Sequence, residues 1–234
     1  MDNGVCVVVG VGPGNGASIA RRFATDGYAV ALLSRSTKFA EELCRTLSGG
    51  AKVYACDATS ETDVAATFKR IRDELGDPEV LVYNAGSGVW GDIETITPAD
   101  FESSWRTNAL GTFLTVRQVI PAMKRSGTGS IILIGATASR RGVARTAAFA
   151  PAKAAQRSLA ESMARHLWPA GIHVALVIVD GVVDLQSTRM AMRDKPDSYF
   201  VRPDDVAATV RWLSQQPRSA WAFEVEARPF GESW

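Results

Sequence analysis

Short, continuous apolar runs alternate with amphipathic stretches along most of this 234-residue chain. Apolar residues fill positions 5–9, 80–83 and 173–179 almost without interruption. A strand with one face in water would alternate apolar and polar residues, so these runs indicate strands buried on both faces. Such strands, separated by helices, form a parallel sheet that helices cover on both sides. The pattern therefore predicts a doubly wound α/β fold in a single domain, residues 1–234.

Read position by position, the pattern predicts seven strands and six helices. The strands are expected at 5–9, 28–33, 51–55, 80–83, 130–134, 173–179 and 221–225. The helices are expected at 18–25, 38–46, 63–75, 113–123, 147–168 and 206–214. Residues 180–202 are rich in charge without a clear strand, and a long irregular segment in a compact domain is often a lid. We therefore expect residues 182–202 to cover the substrate side.

Composition excludes several classes of function. The net charge of +1 leaves no basic excess to attract nucleic acid or an anionic membrane surface. Cys6, Cys44 and Cys56 are far apart, and with only His166 and His173 beside them they predict no metal site. No apolar run approaches the roughly 20 residues that span a bilayer. The near-neutral charge favours a small-molecule substrate, and the odd cysteine count and the lack of a signal peptide favour a cytoplasmic protein.

A glycine-rich turn follows the first predicted strand and precedes the first helix. It contains Gly10, Gly12, Gly14, Asn15 and Gly16. Glycine permits positive φ and lets a pyrophosphate approach the backbone, and the helix that follows presents free N–H groups to the anion. A tight connection without a ligand is the alternative for such a turn, but its strand–turn–helix context favours a dinucleotide site.

The glycine spacing GxxxGxG resembles the signature of the short-chain dehydrogenase/reductase family, and further positions match that family in order along nearly the whole chain. The matching positions are Asp57 after the third strand, Asn84, Ala85 and Gly86 after the fourth, Asn108 within 105–111, Lys153, and Gly181 after the sixth strand. The resemblance implies a Rossmann-type, mostly parallel sheet of seven strands. It also implies a nicotinamide cofactor bound by these residues, and a homodimer or homotetramer.

The end of the second strand bears on the choice of cofactor. It reads Ser34, Arg35, Ser36 and has no acidic residue to accept hydrogen bonds from both ribose hydroxyls of NAD. Arg35 could instead pair with a 2′-phosphate through its planar guanidinium. The sequence therefore favours NADP(H), with NAD(H) as the alternative and a solvated surface role as the other reading of Arg35.

The resemblance implies four catalytic roles, filled in the family by a tyrosine, a lysine, a serine and an asparagine. Here Phe149 stands at the tyrosine position and Ala136 at the serine position, while Asn108 and Lys153 are retained. Phenylalanine has no ionisable proton and cannot act as a general acid. Two of the four roles are therefore expected to be vacant.

Three interpretations of the vacant positions stay open. The protein could bind its cofactor without ordinary carbonyl reduction. Neighbouring groups could substitute: a hydroxyl from Thr137 or Ser139, and a proton from Lys153 or from water held by Asn108, although loop hydroxyls usually bond to backbone. The substrate could also need no strong acid. Tyr199 as a replacement phenol and Asp180 as a proton carrier with a raised pKa are weaker hypotheses.

Two functions from different classes follow. The first is an NADP-dependent oxidoreductase of the short-chain dehydrogenase/reductase type, which transfers hydride between NADP(H) and an unknown carbonyl or alcohol at an atypical centre. The second is a non-catalytic dinucleotide-binding protein that senses redox state or acts as a scaffold. Lys153 supports both functions equally, Asn108 favours the enzyme, and Phe149 and Ala136 favour the sensor.

Overall fold

A computed structural model describes residues 3–86 and 88–232. Seven strands form one sheet in the order β3-β2-β1-β4-β5-β6-β9, and every neighbouring pair is parallel. The predicted doubly wound, seven-stranded sheet is confirmed. Two further short strands, β7 and β8, pair only with each other. The nine strands of the described residues are β1 (Asn3–Val9), β2 (Tyr28–Ser34), β3 (Lys52–Ala55), β4 (Pro78–Tyr83), β5 (Gly129–Ala136), β6 (Ile172–Val179), β7 (Val182–Val183), β8 (Phe200–Val201) and β9 (Glu224–Ala227).

Helices cover both faces of this sheet. They are α1 (Asn15–Thr25), α2 (Lys38–Cys44), α3 (Glu61–Glu74), α4 (Pro98–Trp105), α5 (Gly111–Ser126), α6 (Phe149–Leu167), α7 (Gln186–Ala191) and α8 (Pro203–Ser214), with a π-helical turn at Arg106–Leu110 between α4 and α5. In the part of the chain that is described, no helix has the length and hydropathy needed to cross a membrane.

The continuous apolar strands are explained by two hydrophobic cores, one on each face of the sheet. Along β1, Val7 packs into the core beneath α3, α5 and α6, where Phe68 lies. The next residue, Val8, packs into the opposite core beneath α1, α2 and α8 with Phe23. Because both faces are buried, neither needs a polar residue at alternate positions.

Three sequence expectations need correction. The segment 180–202 does contain strands, since β7 and β8 pair in parallel and α7 lies between them. Strands of two residues are too short to give a periodic signal. The last strand begins at Glu224 rather than at 221, and the long helix begins at Phe149 rather than at 147. The helix α4, which the apolar periodicity does not predict, begins with a capping box between its N-cap Thr97 and Asp100 in its first turn.

Candidate functional site

A cleft of about 540 Å³ opens at the carboxyl ends of β1, β2 and β4. Most of the predicted cofactor-binding residues line it, namely Gly10, Gly12, Asn15, Gly16, Ser34, Arg35, Ser36, Asp57, Asn84, Ala85 and Gly86. Of the other predicted cofactor residues, Gly14 is the N-cap of α1 beside the cleft, Lys153 lies behind Gly86, and Gly181 follows β6. The fold therefore brings together, on one cleft, predicted residues that are up to 76 positions apart in the sequence.

The turn between β1 and α1 depends on two glycines. Gly10 has φ +90° and lies so close to the turn after β4 that a Cβ would come within 2.5 Å of the Cα of Ala85. Gly14 is the N-cap of α1 with φ +104° and ψ −137°, a conformation that essentially only glycine adopts. Both turns are joined by the Asn84 Nδ2 atom, which donates to the Gly10 carbonyl at 2.8 Å.

The backbone N–H groups of this turn divide into two sets. Those of Gly10 and Val11 donate to the Leu33 carbonyl, each at 2.9 Å. Those of Ala17 and Ser18 likewise donate to the carbonyls of Gly12 and Gly14, each at 3.1 Å. The second set, the N–H groups of Asn15 and Gly16 at the start of α1, has no acceptor among the described residues. The second set and the helix dipole are therefore available to an anion in the cleft.

The cleft end near β2 and β3 carries two charges. Arg35 is exposed and lines the cleft. The Asp57 carboxylate accepts hydrogen bonds from the backbone N–H of Thr59 at 2.9 Å and from its hydroxyl at 2.8 Å. The backbone hydrogen bond, the hydroxyl and the charge of Arg35 together lower the pKa of Asp57 despite its partial burial. Asp57 is therefore ionised, and its Oδ1 atom fixes Thr59 in the connection between β3 and α3.

Lys153 and Asn108 converge behind Gly86 at the floor of the cleft. A Cβ on Gly86 would lie 3.8 Å from Lys153 Nζ and 3.5 Å from Asn108 Oδ1. Lys153 is buried, and its Nζ donates to the Ile134 carbonyl at 2.9 Å and to Gln156 Oε1 at 3.0 Å. Burial lowers the pKa of Lys153 to about 8. Asn108 belongs to the π-helical turn and donates to the Ser104 carbonyl at 2.9 Å.

Phe149 begins α6 one turn before Lys153. Its ring packs against the indole of Trp90 with centroids 5.5 Å apart. Lys153 Nζ lies 6.0 Å from the centroid of the Phe149 ring. The position one turn before the lysine therefore offers the ammonium an aromatic face instead of a phenol.

The hydroxyls that follow β5 are already engaged. Ser139 is buried, and its Oγ accepts from the backbone N–H of Ala136 at 3.1 Å, so it caps the turn. The hydroxyl of Thr137 donates to Asp180 Oδ1. Ala136 itself carries no polar side-chain atom. A substrate carbonyl at this edge would find the hydroxyl hydrogen of Thr137 committed to a carboxylate.

Asp180 lies in a buried cluster at the carboxyl end of β6. Arg228, just after β9, donates to Asp180 Oδ2 at 2.5 Å, and Arg141 lies 3.9 Å from Oδ1. Burial alone would raise the pKa of Asp180, but the Thr137 hydrogen bond and the charge of Arg228 outweigh it and hold the pKa below its usual range. The hypothesis of a proton carrier with a raised pKa is therefore wrong. Sequence reasoning missed Arg228, which no local pattern connects to Asp180.

The remaining candidates have structural surroundings. Tyr199 packs edge-on against Phe200, with Lys195 over its ring. His166 lies on the exposed surface 3.2 Å from Lys124. His173 is buried and stacks on Trp221 with centroids 4.8 Å apart. The cleft lining also includes Thr107, from the 105–111 match, and Leu185, from the segment 182–202, although neither was singled out as a site residue.

Known proteins resemble this chain over most of its length. Residues 4–197 match the family described as short chain dehydrogenase. The 3-oxoacyl-[acyl-carrier-protein] reductase MabA of Mycobacterium tuberculosis is 29% identical over 221 residues, which cover 91% of this chain and 86% of that protein.

Solved structures agree with that match. A short-chain dehydrogenase from Rhodopseudomonas palustris has a TM-score of 0.81 and 33% identity, covering 97% of this chain and 98% of its own. A metagenomic short-chain oxidoreductase in complex with NADP has a TM-score of 0.85 and 30% identity, covering 98% of each chain. The family match and these two structures together place the chain in one family: it belongs to the short-chain dehydrogenases.

Proposed function

We propose that this protein binds NADP(H) in the cleft and transfers hydride between it and a carbonyl or alcohol, at a centre in which Phe149 and Ala136 replace the family's tyrosine and serine. The observation that carries the proposal is the arrangement around Gly86, where Lys153 and Asn108 meet the cleft formed by the glycine turn. Family membership supports the reaction type.

The residues that line the cleft fit the pyrophosphate, the 2′-phosphate and the nicotinamide ribose of NADP(H). The start of α1 would hold the pyrophosphate, because the N–H groups of Asn15 and Gly16 have no acceptor among the described residues. Arg35 would pair with a 2′-phosphate, since its guanidinium is exposed along the cleft. Lys153 would reach the nicotinamide ribose past Gly86. The related metagenomic oxidoreductase is in complex with NADP, which supports the same choice of cofactor here.

The cofactor supplies the hydride when bound, and the chain must supply or remove a proton. Phe149 has no proton to give, the hydroxyl hydrogen of Thr137 is held by Asp180, and Asp180 is ionised. Lys153, with a pKa of about 8, is protonated at neutral pH and close to the cleft. It is therefore the group best suited to give a proton. Loss of an ideally placed general acid typically costs about 10²–10⁴-fold in rate, so turnover is expected to be slow.

Residues 182–202 cover the substrate side in this proposal. Val183 and Leu185 line the cleft, and Leu185 packs beside Gly14. Arg189 holds the segment together, because it donates to both oxygens of Asp184, at 2.7 and 2.8 Å, and to Asp197 at 2.5 Å. These ion pairs hold the segment together beside the cleft.

A non-catalytic redox sensor or scaffold is the second candidate. It is favoured by one observation: of the polar groups near the vacant positions, Thr137, Ser139 and Asp180 all bond to other protein groups. Both candidates require the same cofactor site, so nucleotide binding does not separate them, and only turnover does.

Calorimetry with NADP⁺, NADPH, NAD⁺ and NADH tests the proposed site. We expect NADPH to bind at least about tenfold more tightly than NADH, because a charge-assisted hydrogen bond contributes about 1.5–3 kcal/mol. A panel of carbonyl compounds, followed by NADPH absorbance, then tests turnover. Absence of both heat and thermal protection with all four nucleotides would overturn the cofactor site. Binding without turnover across the panel would favour the sensor.

A further inference from the structure

Gln156 is a fully buried polar residue that lies three positions after Lys153 on α6. Its Oε1 accepts a hydrogen bond from Lys153 Nζ at 3.0 Å. Its Nε2 donates to the hydroxyl of Thr112, on α5, also at 3.0 Å. A buried amide is costly unless its polar atoms find partners, and here both ends are engaged.

The neighbouring hydroxyl fixes which way the amide points. Thr112 donates its one hydrogen to the Asn108 carbonyl at 2.7 Å. It can therefore only accept from Gln156, which requires the NH₂ group on that side. The carbonyl oxygen of Gln156 must then face Lys153. The π-helical turn that carries Asn108 thus determines, through two hydrogen bonds, an acceptor for the lysine.

The Lys153 ammonium has three hydrogens, and acceptors among the described residues account for two of them. One bonds to the Ile134 carbonyl and one to Gln156. Nζ also lies 3.8 Å from the place of a Cβ on Gly86, a residue of the cleft lining. The third hydrogen is therefore the one left for a ligand in the cleft.

The surroundings of Lys153 are polar but uncharged. β5 contributes the Ile134 carbonyl, α6 the Gln156 amide and the Phe149 ring, and the turn after β4 contributes Gly86. The π-helical turn contributes Asn108, whose Oδ1 also faces Gly86. Among the described residues no carboxylate pairs with Lys153, and burial alone lowers its pKa. The acceptors on Ile134 and Gln156 are therefore what offsets the loss of water around the charge.

We propose that Gln156 is a positioning residue that keeps Lys153 protonated and directs its remaining N–H toward the ribose hydroxyls of the nicotinamide cofactor. This inference rests on the proposed function, because it assumes that the cleft holds NADP(H). It assigns to Gln156 control over the upper pH limit of cofactor binding.

The test measures NADPH affinity by fluorescence between pH 6 and 9.5 in the wild type and in two variants. We expect wild-type affinity to fall as the pH rises through about 8, where Lys153 loses its proton. Gln156→Glu places a carboxylate beside the ammonium and should move the midpoint up by about one pH unit or more. Gln156→Leu removes the acceptor without adding charge and should move it down by a similar amount. Lys153→Met should abolish this pH dependence.

A measurement without cofactor keeps the two proposals separate. The pKa of Lys153 in the folded protein lies below its unfolded value of 10.5, so above pH 8 the unfolded chain holds more protons. Loss of the Lys153 proton therefore makes the folded protein more stable as the pH rises. Urea unfolding at several pH values should show this rise beginning at higher pH in Gln156→Glu and at lower pH in Gln156→Leu. Midpoints that coincide with the wild type in both variants would overturn the role of Gln156. Shifted unfolding curves without NADPH binding would support the effect of Gln156 on the Lys153 proton, and would overturn the cofactor site and with it the direction of the N–H toward a ribose.

Discussion

At the scale of single residues, Arg35 is expected to decide between the two phosphorylation states of the cofactor. Its guanidinium is exposed on the cleft lining, and Asp57 lies close enough for the charge of Arg35 to lower its pKa. Arg35→Ala should weaken NADPH binding about 10- to 100-fold, since charge-assisted bonds contribute about 1.5–3 kcal/mol. NADH binding should change little, because it has no 2′-phosphate.

Fluorescence titration with both nucleotides checks this prediction. Arg21 is also exposed but lies on α1 and not on the cleft lining, so Arg21→Ala is a matched loss of one surface charge. The prediction is wrong if Arg35→Ala keeps the preference of the wild type, or if Arg21→Ala reduces NADPH affinity to the same extent.

Phe149 and Ala136 mark the second residue-scale question, which is whether the centre still performs chemistry. A tyrosine at 149 would bring a phenol to the helix turn that already carries Lys153, whose charge would favour its ionised form. The double variant Phe149→Tyr with Ala136→Ser should therefore increase carbonyl-dependent NADPH oxidation, by about 10²-fold or more if a general acid is what is missing.

Phe149→Leu provides the control, since it changes the packing against Trp90 but adds no proton donor. A wild type that turns over faster than the double variant would show that another proton route operates. A wild type without activity and an active double variant would instead identify the natural protein as a cofactor-binding protein that does not reduce carbonyls.

At the scale of elements, two glycines before α1 are expected to have different roles: Gly14 in the stability of the fold and Gly12 in cofactor binding. Gly14 has φ +104°, and a Cβ there would come within 2.6 Å of Leu185 Cδ2. Gly14→Ala should destabilise the protein by about 1–3 kcal/mol, the usual cost of a residue held in such a conformation. Gly12 lines the cleft and has nothing within 4 Å of its Cβ position. Gly12→Ala should therefore leave stability nearly unchanged and weaken NADPH binding.

Urea unfolding and fluorescence titration of both variants give the comparison. A loss of stability in Gly12→Ala equal to that in Gly14→Ala would contradict the distinction. So would a Gly12→Ala protein that binds NADPH as tightly as the wild type, because the added methyl group would then lie outside the bound cofactor.

Some elements of the fold could be predicted from the sequence and others could not. Strands such as β1 and β6 were predictable, because burial on both faces leaves a continuous apolar run. The residues gathered at the cleft were predictable where they sit in contiguous motifs, as Asn84 to Gly86 do. The π-helical turn at Arg106–Leu110 was not, since its hydrogen-bond pattern leaves no periodic trace over five residues. β7 and β8 were not predicted either, because a strand of two residues is too short to show an apolar pattern.

Contacts between distant residues were the other limit. Gln156 reads in the sequence as an ordinary polar residue of a helix, and only the packing of α6 against α5 brings it to Thr112. Arg228 lies 48 positions after Asp180, and its role as the partner of that carboxylate depends on β9 pairing with β6. Such partners appear only once the order of the strands is known.

At the scale of the whole molecule, the two faces of the sheet present different surfaces. α4 and α5 expose three large aromatic side chains, Phe101, Trp105 and Phe113, each more than two-fifths accessible. The opposite face exposes Trp212 on α8. Large aromatic residues that stay exposed in one protomer are typical of interfaces. Because resemblance to the family implies a homodimer or homotetramer, we expect a second copy of the chain to cover α4 and α5.

Light scattering after gel filtration measures the assembly directly. The wild type should elute as a dimer or tetramer, and Trp105→Glu with Phe113→Glu should elute as a monomer, because burying two carboxylates against an apolar surface costs the free energy of their hydration. Trp212→Glu, an equally drastic change on the other face, should leave the assembly intact. A monomeric wild type at tens of micromolar would contradict the expectation, and so would dissociation caused by Trp212→Glu alone. A monomeric double variant that still binds NADPH would further show that the cofactor site is complete within one chain, which the lining of the cleft by residues of a single chain leads us to expect.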